Sequence, residues 1–213
     1  MTMPLDQWED LPDRLAQRCA LPLPKHEAAR QFSTELSYGR HLGPPSQAAI
    51  PAAVVILIYR HEGQWHLPLT LRPQHLPDHA GQICLPGGMV EPGEGRREAA
   101  IRELREELGI TEDVRVLGAL EPIYVYASNF CVTPWLASVD SRPTMTPSPD
   151  EVDRVLEPQL AHLTDRRNWT EHQIVRGPLQ FRAPHFAFND DRIWGATAVI
   201  LGQLVDVLAD LAR

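Results

Sequence analysis

Glu103, Glu106 and Glu107 crowd into the stretch RELREEL, residues 102–108. On a helix, residues three and four apart are neighbours, so the three carboxylates share one sector. Like charges at that spacing repel by roughly 0.2–0.5 kcal/mol per pair. Arg102 and Arg105 relieve part of that repulsion. Oxygen-bearing groups gathered in this way suit a hard divalent cation, Mg2+ or Mn2+. Just upstream, Pro86-Gly87-Gly88 lets the backbone approach a ligand closely. A carboxylate helix, a glycine loop and a hard cation are the parts needed to hold a diphosphate. The plain alternative for the carboxylates alone is a solvated acidic helix face.

The element that must carry them is a helix over 95–108. Ala100, Ile101, Leu104 and Leu108 follow the spacing of a buried stripe. Glu98, Arg102 and Arg105 then point to solvent, and Gly109 stands where a C-terminal glycine cap belongs.

The stretch from Gly88 to Ile110 also fits G-x5-E-x7-R-E-U-x-E-E-x-G-U, where U is a bulky aliphatic. Gly88, Glu94, Arg102, Glu103, Leu104, Glu106, Glu107, Gly109 and Ile110 fill every fixed position. This is the Nudix box, and the chain resembles the Nudix hydrolases. The resemblance implies an α/β/α sandwich with a mixed β-sheet. It implies attack by water at one phosphorus of a diphosphate. Glu106 and Glu107 are then metal ligands, the Gly87 carbonyl a further one, and Glu103 a ligand or the general base. Glu94 and Arg102 support the loop–helix geometry as a pair. An acidic residue outside the box often completes the metal site or acts as base in this family, and Glu151 is the candidate. Its alternative is an acid at a helix start, interacting with the helix dipole.

The approach to the box, LTLRPQHLPDHAGQICLPGG, resembles the coenzyme A diphosphatase subgroup. Leu69, Thr70, Arg72, Gly81, Pro86, Gly87 and Gly88 agree with its pattern, while Pro73, Pro77 and Leu85 depart from it. Pro77 matters most, because it replaces an arginine, a natural phosphate partner. Arg72 and Gly88 are the residues expected to meet the substrate, Arg72 hypothetically at a 3'-phosphate. DRIWGAT, residues 191–197, resembles a second stretch of the subgroup; otherwise Trp194 anchors a helix in the core. Coenzyme A or acyl-coenzyme A would yield 4'-phosphopantetheine and adenosine 3',5'-bisphosphate. ADP-ribose, NADH and dinucleoside polyphosphates are the rival substrates. A non-catalytic, nucleotide-binding regulatory Nudix domain is a remoter reading, whose sign would be an eroded box. Tyr124, Tyr126 and Phe130 either stack on a base or fill the core. His75 and His79 flank Pro77, which argues against a shared helical face and a zinc pair. They read as loop residues, with His79 a candidate substrate contact.

The rest of the chain is ordinary. Its 213 residues suit one domain, 47–213, preceded by an extension over 1–46. A net charge of -8 argues against a nucleic-acid backbone as the main partner, and an anionic substrate must then be held through a metal or a local basic patch. The small-molecule nucleotide substrate is what the resemblance implies. Cys19, Cys84 and Cys131 suggest neither a disulfide framework nor zinc. The absence of a transmembrane-length apolar run and of a signal-peptide core argues against a membrane and for a cytoplasmic protein. In the extension, a helix from Pro12 to Ala20 ends at Leu21-Pro-Leu-Pro, and Gly43-Pro-Pro-Ser reads as a linker. The extension either packs on the domain or contributes to a homodimer.

Strands are expected over 52–59, centrally buried, over 65–71 with Pro68 at an edge or bulge, and over 114–120, 123–126 and 132–139. A short helix should open at Asp150 and end before Pro158. A hairpin is expected around Arg176-Gly177-Pro178. A terminal helix should bury Leu201, Leu204, Val205, Leu208 and Leu211.

Overall fold

A computed structural model describes residues 5–34, 44–76 and 79–213. Gly43 of the expected linker and Pro77 lie outside them. The centre is strand β1, Ile50–His61. From Ala52 to Tyr59 it is apolar, because both of its faces are covered there. Ala53, Val55, Leu57 and Tyr59 face one core cluster, while Ala52, Ile56 and Ile58 face the other. β2 (Gln64–His66) and β5 (Gly87–Met89) run antiparallel to β1 at its two ends. β8 (Phe130–Ser138) runs parallel to β1 along its length, and β6 (Arg115–Ala119) and β7 (Ile123–Val125) pair antiparallel with β8. The result is a mixed six-stranded sheet.

The box helix α3, Arg96–Leu108, covers one face of this sheet. Helix α5, Gly195–Leu211, covers the other, together with α1 (Leu11–Cys19) and α2 (Glu27–Gln31). This is the α/β/α sandwich that the resemblance implied. β3 (Leu69–Leu71), β4 (Ile83–Cys84) and β9 (Arg154–Leu156) form a small second sheet. β10 (Trp169–Arg176), β11 (Leu179–Phe188) and β12 (Asp191–Trp194) form a meander beside α5, and the short α4, Leu160–Thr164, lies between the two small sheets in the chain. No helix among the described residues is long and apolar enough to cross a membrane.

Four expectations needed correcting. Pro68 does not bulge one strand; the chain splits there into β2 and β3, which join different sheets. Asp150-Glu151-Val152 opens no helix. The amides of Glu151 and Val152 both turn back to the Ser148 carbonyl, and the chain then enters β9, where β3 supplies a strand partner. On α3 the buried stripe is Ala99, Ala100, Leu104 and Leu108, with Ile101 half-buried. Trp194 is also only half-buried; Ile193 beside it reaches the core.

The described part of the extension packs on the domain. Phe32 stacks on Phe186 with ring centroids 3.9 Å apart and meets Trp169 edge-on. Asp206 of α5 accepts the amides of Ala28 (2.8 Å) and Ala29 (3.3 Å), satisfying donors that the start of α2 leaves open. Gly202 allows that approach. A β-carbon there would stand 2.6 Å from the Ala29 Cα and 2.8 Å from its nitrogen, both backbone atoms that cannot swing away. Gly202→Ala is therefore expected to destabilise the fold by about 1–3 kcal/mol, the usual range for overpacking, despite alanine's better helix propensity. Urea unfolding of the two proteins checks it; equal or greater stability of the variant would contradict the packing account.

Candidate active site

The site begins with the ends of α3. Gly95 precedes the helix in an extended conformation, and Gly109 closes it in the left-handed region at φ 64°. That conformation is cheap only without a side chain. At the N-terminal side, the loop from Met89 to Glu94 folds back along the helix and is held there by Arg102.

Arg102 does not face solvent as the helical period suggested. Its Nε donates to Glu94 Oε2 (3.2 Å) and one terminal nitrogen donates to Glu94 Oε1 (2.8 Å) and the Met89 carbonyl (3.1 Å). The other terminal nitrogen donates to Glu103 Oε1 (2.9 Å) and Glu106 Oε2 (2.8 Å). Its hydrogen bonds to Glu94 dominate in raising the guanidinium's pKa, and the same bonds hold the Glu94 carboxyl below its ordinary value. Glu94 Oε1 also accepts the Glu91 amide at 2.8 Å, so Glu94 closes the loop while Arg102 fastens it to the helix.

The three box carboxylates lie in different surroundings. The Glu106 side chain is 55 % exposed and turned onto Arg102. Glu103 packs against Gly88, where a β-carbon would run into its carboxylate. Burial raises the Glu103 pKa, Arg102 opposes that rise, and Glu106 and Glu151 add to it. Glu107 is only 5 % exposed, and its Oε2 has no hydrogen-bond partner. Burial pushes its pKa up to about 8; the charges of Glu103 and Glu151 push the same way, while the Gly87 amide and Arg72 oppose them.

Around Glu107 the other site residues assemble. Gly87 gives it an amide hydrogen bond, and Arg72 is near enough for its charge to be felt at both Glu107 and Cys84. Glu151 is exposed, in the turn after Ser148, whose amide donates to the Glu107 carbonyl at 2.9 Å. Sequence reasoning missed Cys84 and Thr197. Thr197 Oγ1 donates to the Ile83 carbonyl at 2.9 Å and contacts the Cys84 thiol, tying the start of α5 to the strand that leads to Gly87. Thr197 closes DRIWGAT, so that motif held a signal for this contact.

Other candidates have different attachments. Tyr124 bonds to Asn129, Tyr126 is exposed at its edge, and Phe130 packs on the core cluster that α5 covers. His79 Nδ1 is 2.9 Å from Gln82 Oε1.

The donor set fits a hard cation. An unpartnered, buried carboxylate oxygen beside two further carboxylates is costly unless something positive meets it. Among the described residues, no three carboxylate, imidazole or thiol groups already stand close enough to enclose an ion. Arg102 engages Glu103 and Glu106, so enclosing one would require those side chains to turn toward Glu107.

A mixed sheet lies between helices, with the carboxylate-bearing helix against one face. Residues 49–176 match the NUDIX domain. The chain is 30 % identical over 204 residues to Nudix hydrolase 3 of Caenorhabditis elegans, covering 85 % of each protein. It is 34 % identical over 164 residues to the mitochondrial coenzyme A diphosphatase NUDT8 of Homo sapiens, covering 74 % of this chain and 69 % of that one. Among solved structures its fold is similar to that of RenU, a Nudix hydrolase from M. smegmatis, with TM-score 0.54 and 17 % identity, covering 76 % and 87 % of the two chains. The protein belongs to the Nudix family and is a hydrolase of a nucleoside diphosphate-linked substrate.

Folding raises the Glu107 pKa above its unfolded value of 4.5, so ionisation opposes folding. Its contribution is intact below pH 4.5 and is lost as the pH rises through about 8. Metal-free Glu107→Gln, which cannot ionise, should match wild type in melting temperature at about pH 4.5 and exceed it at about pH 9. Thermal melts in chelator check this; a pH-independent difference would mean that Glu107 carries no buried charge.

Proposed function

We propose that the protein hydrolyses the diphosphate of coenzyme A or acyl-coenzyme A, using Mg2+ or Mn2+ held by Glu103, Glu106, Glu107 and the Gly87 carbonyl. The observation that carries the site assignment is the buried Glu107 oxygen that lacks a partner, next to Glu103 and within the field of Glu151. A bound divalent cation would neutralise diphosphate charge and lower the pKa of water. The protein's own groups do the rest. Arg102 and Glu94 hold the helix and the glycine loop in register. Gly88, lacking a side chain, lets the Glu103 carboxylate lie against the glycine loop. Glu103 or Glu151 takes the proton of the attacking water.

Support for coenzyme A comes from the similarity to the human coenzyme A diphosphatase and from the LTLR and DRIWGAT stretches. The rival substrates, ADP-ribose, NADH and dinucleoside polyphosphates, are favoured by Pro77, which stands where the coenzyme A pattern has an arginine. A panel of these compounds with Mg2+ and Mn2+, products read by mass spectrometry, separates the two readings. Coenzyme A should give 4'-phosphopantetheine and adenosine 3',5'-bisphosphate, and its absence from the substrates turned over would decide for the rivals. Chelation should abolish turnover and either cation restore it; full activity in metal-free protein would refute the metal role.

Arg72 is the proposed substrate cation. Its place beside Glu107 suits the diphosphate better than the distant 3'-phosphate. Arg72→Ala is expected to lower kcat/KM on coenzyme A and on 3'-dephospho-coenzyme A equally, by roughly ten- to a hundredfold for a lost charge-assisted bond of about 1.5–3 kcal/mol. A loss confined to coenzyme A would move Arg72 to the 3'-phosphate.

A further inference from the structure

The segment Arg142–Ser148 has no regular secondary structure, yet every second amide in it is bonded. The Arg142 amide donates to the Arg60 carbonyl (3.1 Å), and those of Thr146 and Ser148 to the Leu108 (2.8 Å) and Glu107 (2.9 Å) carbonyls. The Thr144 amide donates to Glu112 Oε1 at 2.8 Å. In an extended chain, alternate residues face alternate sides. Pro143 and Pro147, which have no amide hydrogen to satisfy, occupy intervening positions, and Met145 between them packs on the core under α3. The segment is thus a strap laid across the C-terminal end of the box helix. It satisfies two of the carbonyls that any helix leaves open there. The contact is close: a β-carbon at Gly109 would stand 2.8 Å from the Thr146 carbonyl oxygen.

Both ends of the strap are fixed. Glu157 accepts two hydrogen bonds of 2.7 Å from the Arg142 guanidinium and another from Tyr59 in the central strand. Glu112 also accepts the Thr111 amide at 3.1 Å, holding its carboxylate in place for Thr144. Beyond Ser148 the chain turns, and the Asp153 amide donates to the Leu71 carbonyl at 2.8 Å. Glu151 lies in that turn, between an anchor on Glu107 and an anchor beside Arg72.

From these contacts we infer that Glu112 and the Arg142–Glu157 pair are positioning residues for hydrolysis, acting through Glu151. They touch neither Glu151 nor the box carboxylates. They fix the strap whose far end, bonded through the Ser148 amide to the Glu107 carbonyl, carries the turn that holds Glu151, whose charge is felt at Glu103 and Glu107. The inference rests on the proposed catalytic role of Glu151.

The test is a cycle of variants on whichever substrate the panel identifies. The doubly substituted Glu112→Ala/Arg142→Ala protein is compared with wild type, and the same pair is placed on Glu151→Gln, with melting temperatures measured throughout. Displacing a catalytic group by a fraction of an ångström should lower kcat on the order of tenfold. KM should stay near that of wild type. On Glu151→Gln the same pair should cost nothing further, and Glu112→Gln, which keeps an acceptor for the Thr144 amide, should retain most of the activity. Equal fractional losses in both backgrounds, or no loss in the wild-type background, would overturn the inference while leaving Glu151 in its role. Full activity of Glu151→Gln would remove that role and the inference with it.

Discussion

Everything at the box depends on one guanidinium. Arg102 has five N–H groups, and all five are spent: two on Glu94, one each on Glu103 and Glu106, and one on the Met89 carbonyl. The planar fork satisfies acceptors in the loop and along the helix at once, which three ammonium protons could not do. It also offsets the repulsion between neighbouring carboxylates on α3. Because its donors are committed, Arg102 has none left for substrate phosphate. The proposed substrate cation, Arg72, stands apart from this network, on the side where its charge is felt at Glu107.

The box helix is held differently at its two ends. At the start, charge does the work, through Arg102 and Glu94. At the finish, main-chain hydrogen bonds from the strap cap the open carbonyls, and Gly109 lets that strap come close. The sheet side is apolar, with Ala99, Ala100, Leu104 and Leu108 fully buried against β1 and β8. Glu107 follows that stripe and is carried inward with it, whereas Glu106, one residue earlier, stays at the rim. Helical geometry alone therefore makes chemically unequal groups from adjacent identical residues. Glu107 is the one driven to ionise reluctantly, and it gains most from a cation.

Local pattern made the central strand, the box helix and its glycine cap legible before any coordinates. Each has a signal confined to neighbouring residues: an apolar run, a helical period, a glycine. The errors fell where distant segments decide. The acids at 150–151 look like a helix start, but β3 stands ready to pair with 154–156, and pairing wins. The local pattern makes Pro68 an edge or bulge in one strand, whereas the chain changes sheets there. The helical period alone points Arg102 to solvent, because a period cannot see a loop folding back; the pairing with Glu94 was legible only through the family resemblance. The carboxylate set was readable because its spacing is local. The contact of Thr197 with Ile83 and Cys84, and the inward-facing amides of the strap, were not, since each joins residues far apart in sequence.

The bond from Asp206 to the amides of Ala28 and Ala29 joins an early segment to the terminal helix. On a ribosome the chain emerges from its N-terminus, so residues 27–32 are made long before α5 exists to receive them. Phe32 has the same delay, since its partners Trp169 and Phe186 also arrive late. Closing so long a loop carries an entropic cost that no local contact offsets. The sheet and box helix can form first, leaving one face bare until α5 has been made. That apolar face is the surface most exposed to aggregation in a nascent or interrupted chain, and the one a chaperone would have to shield.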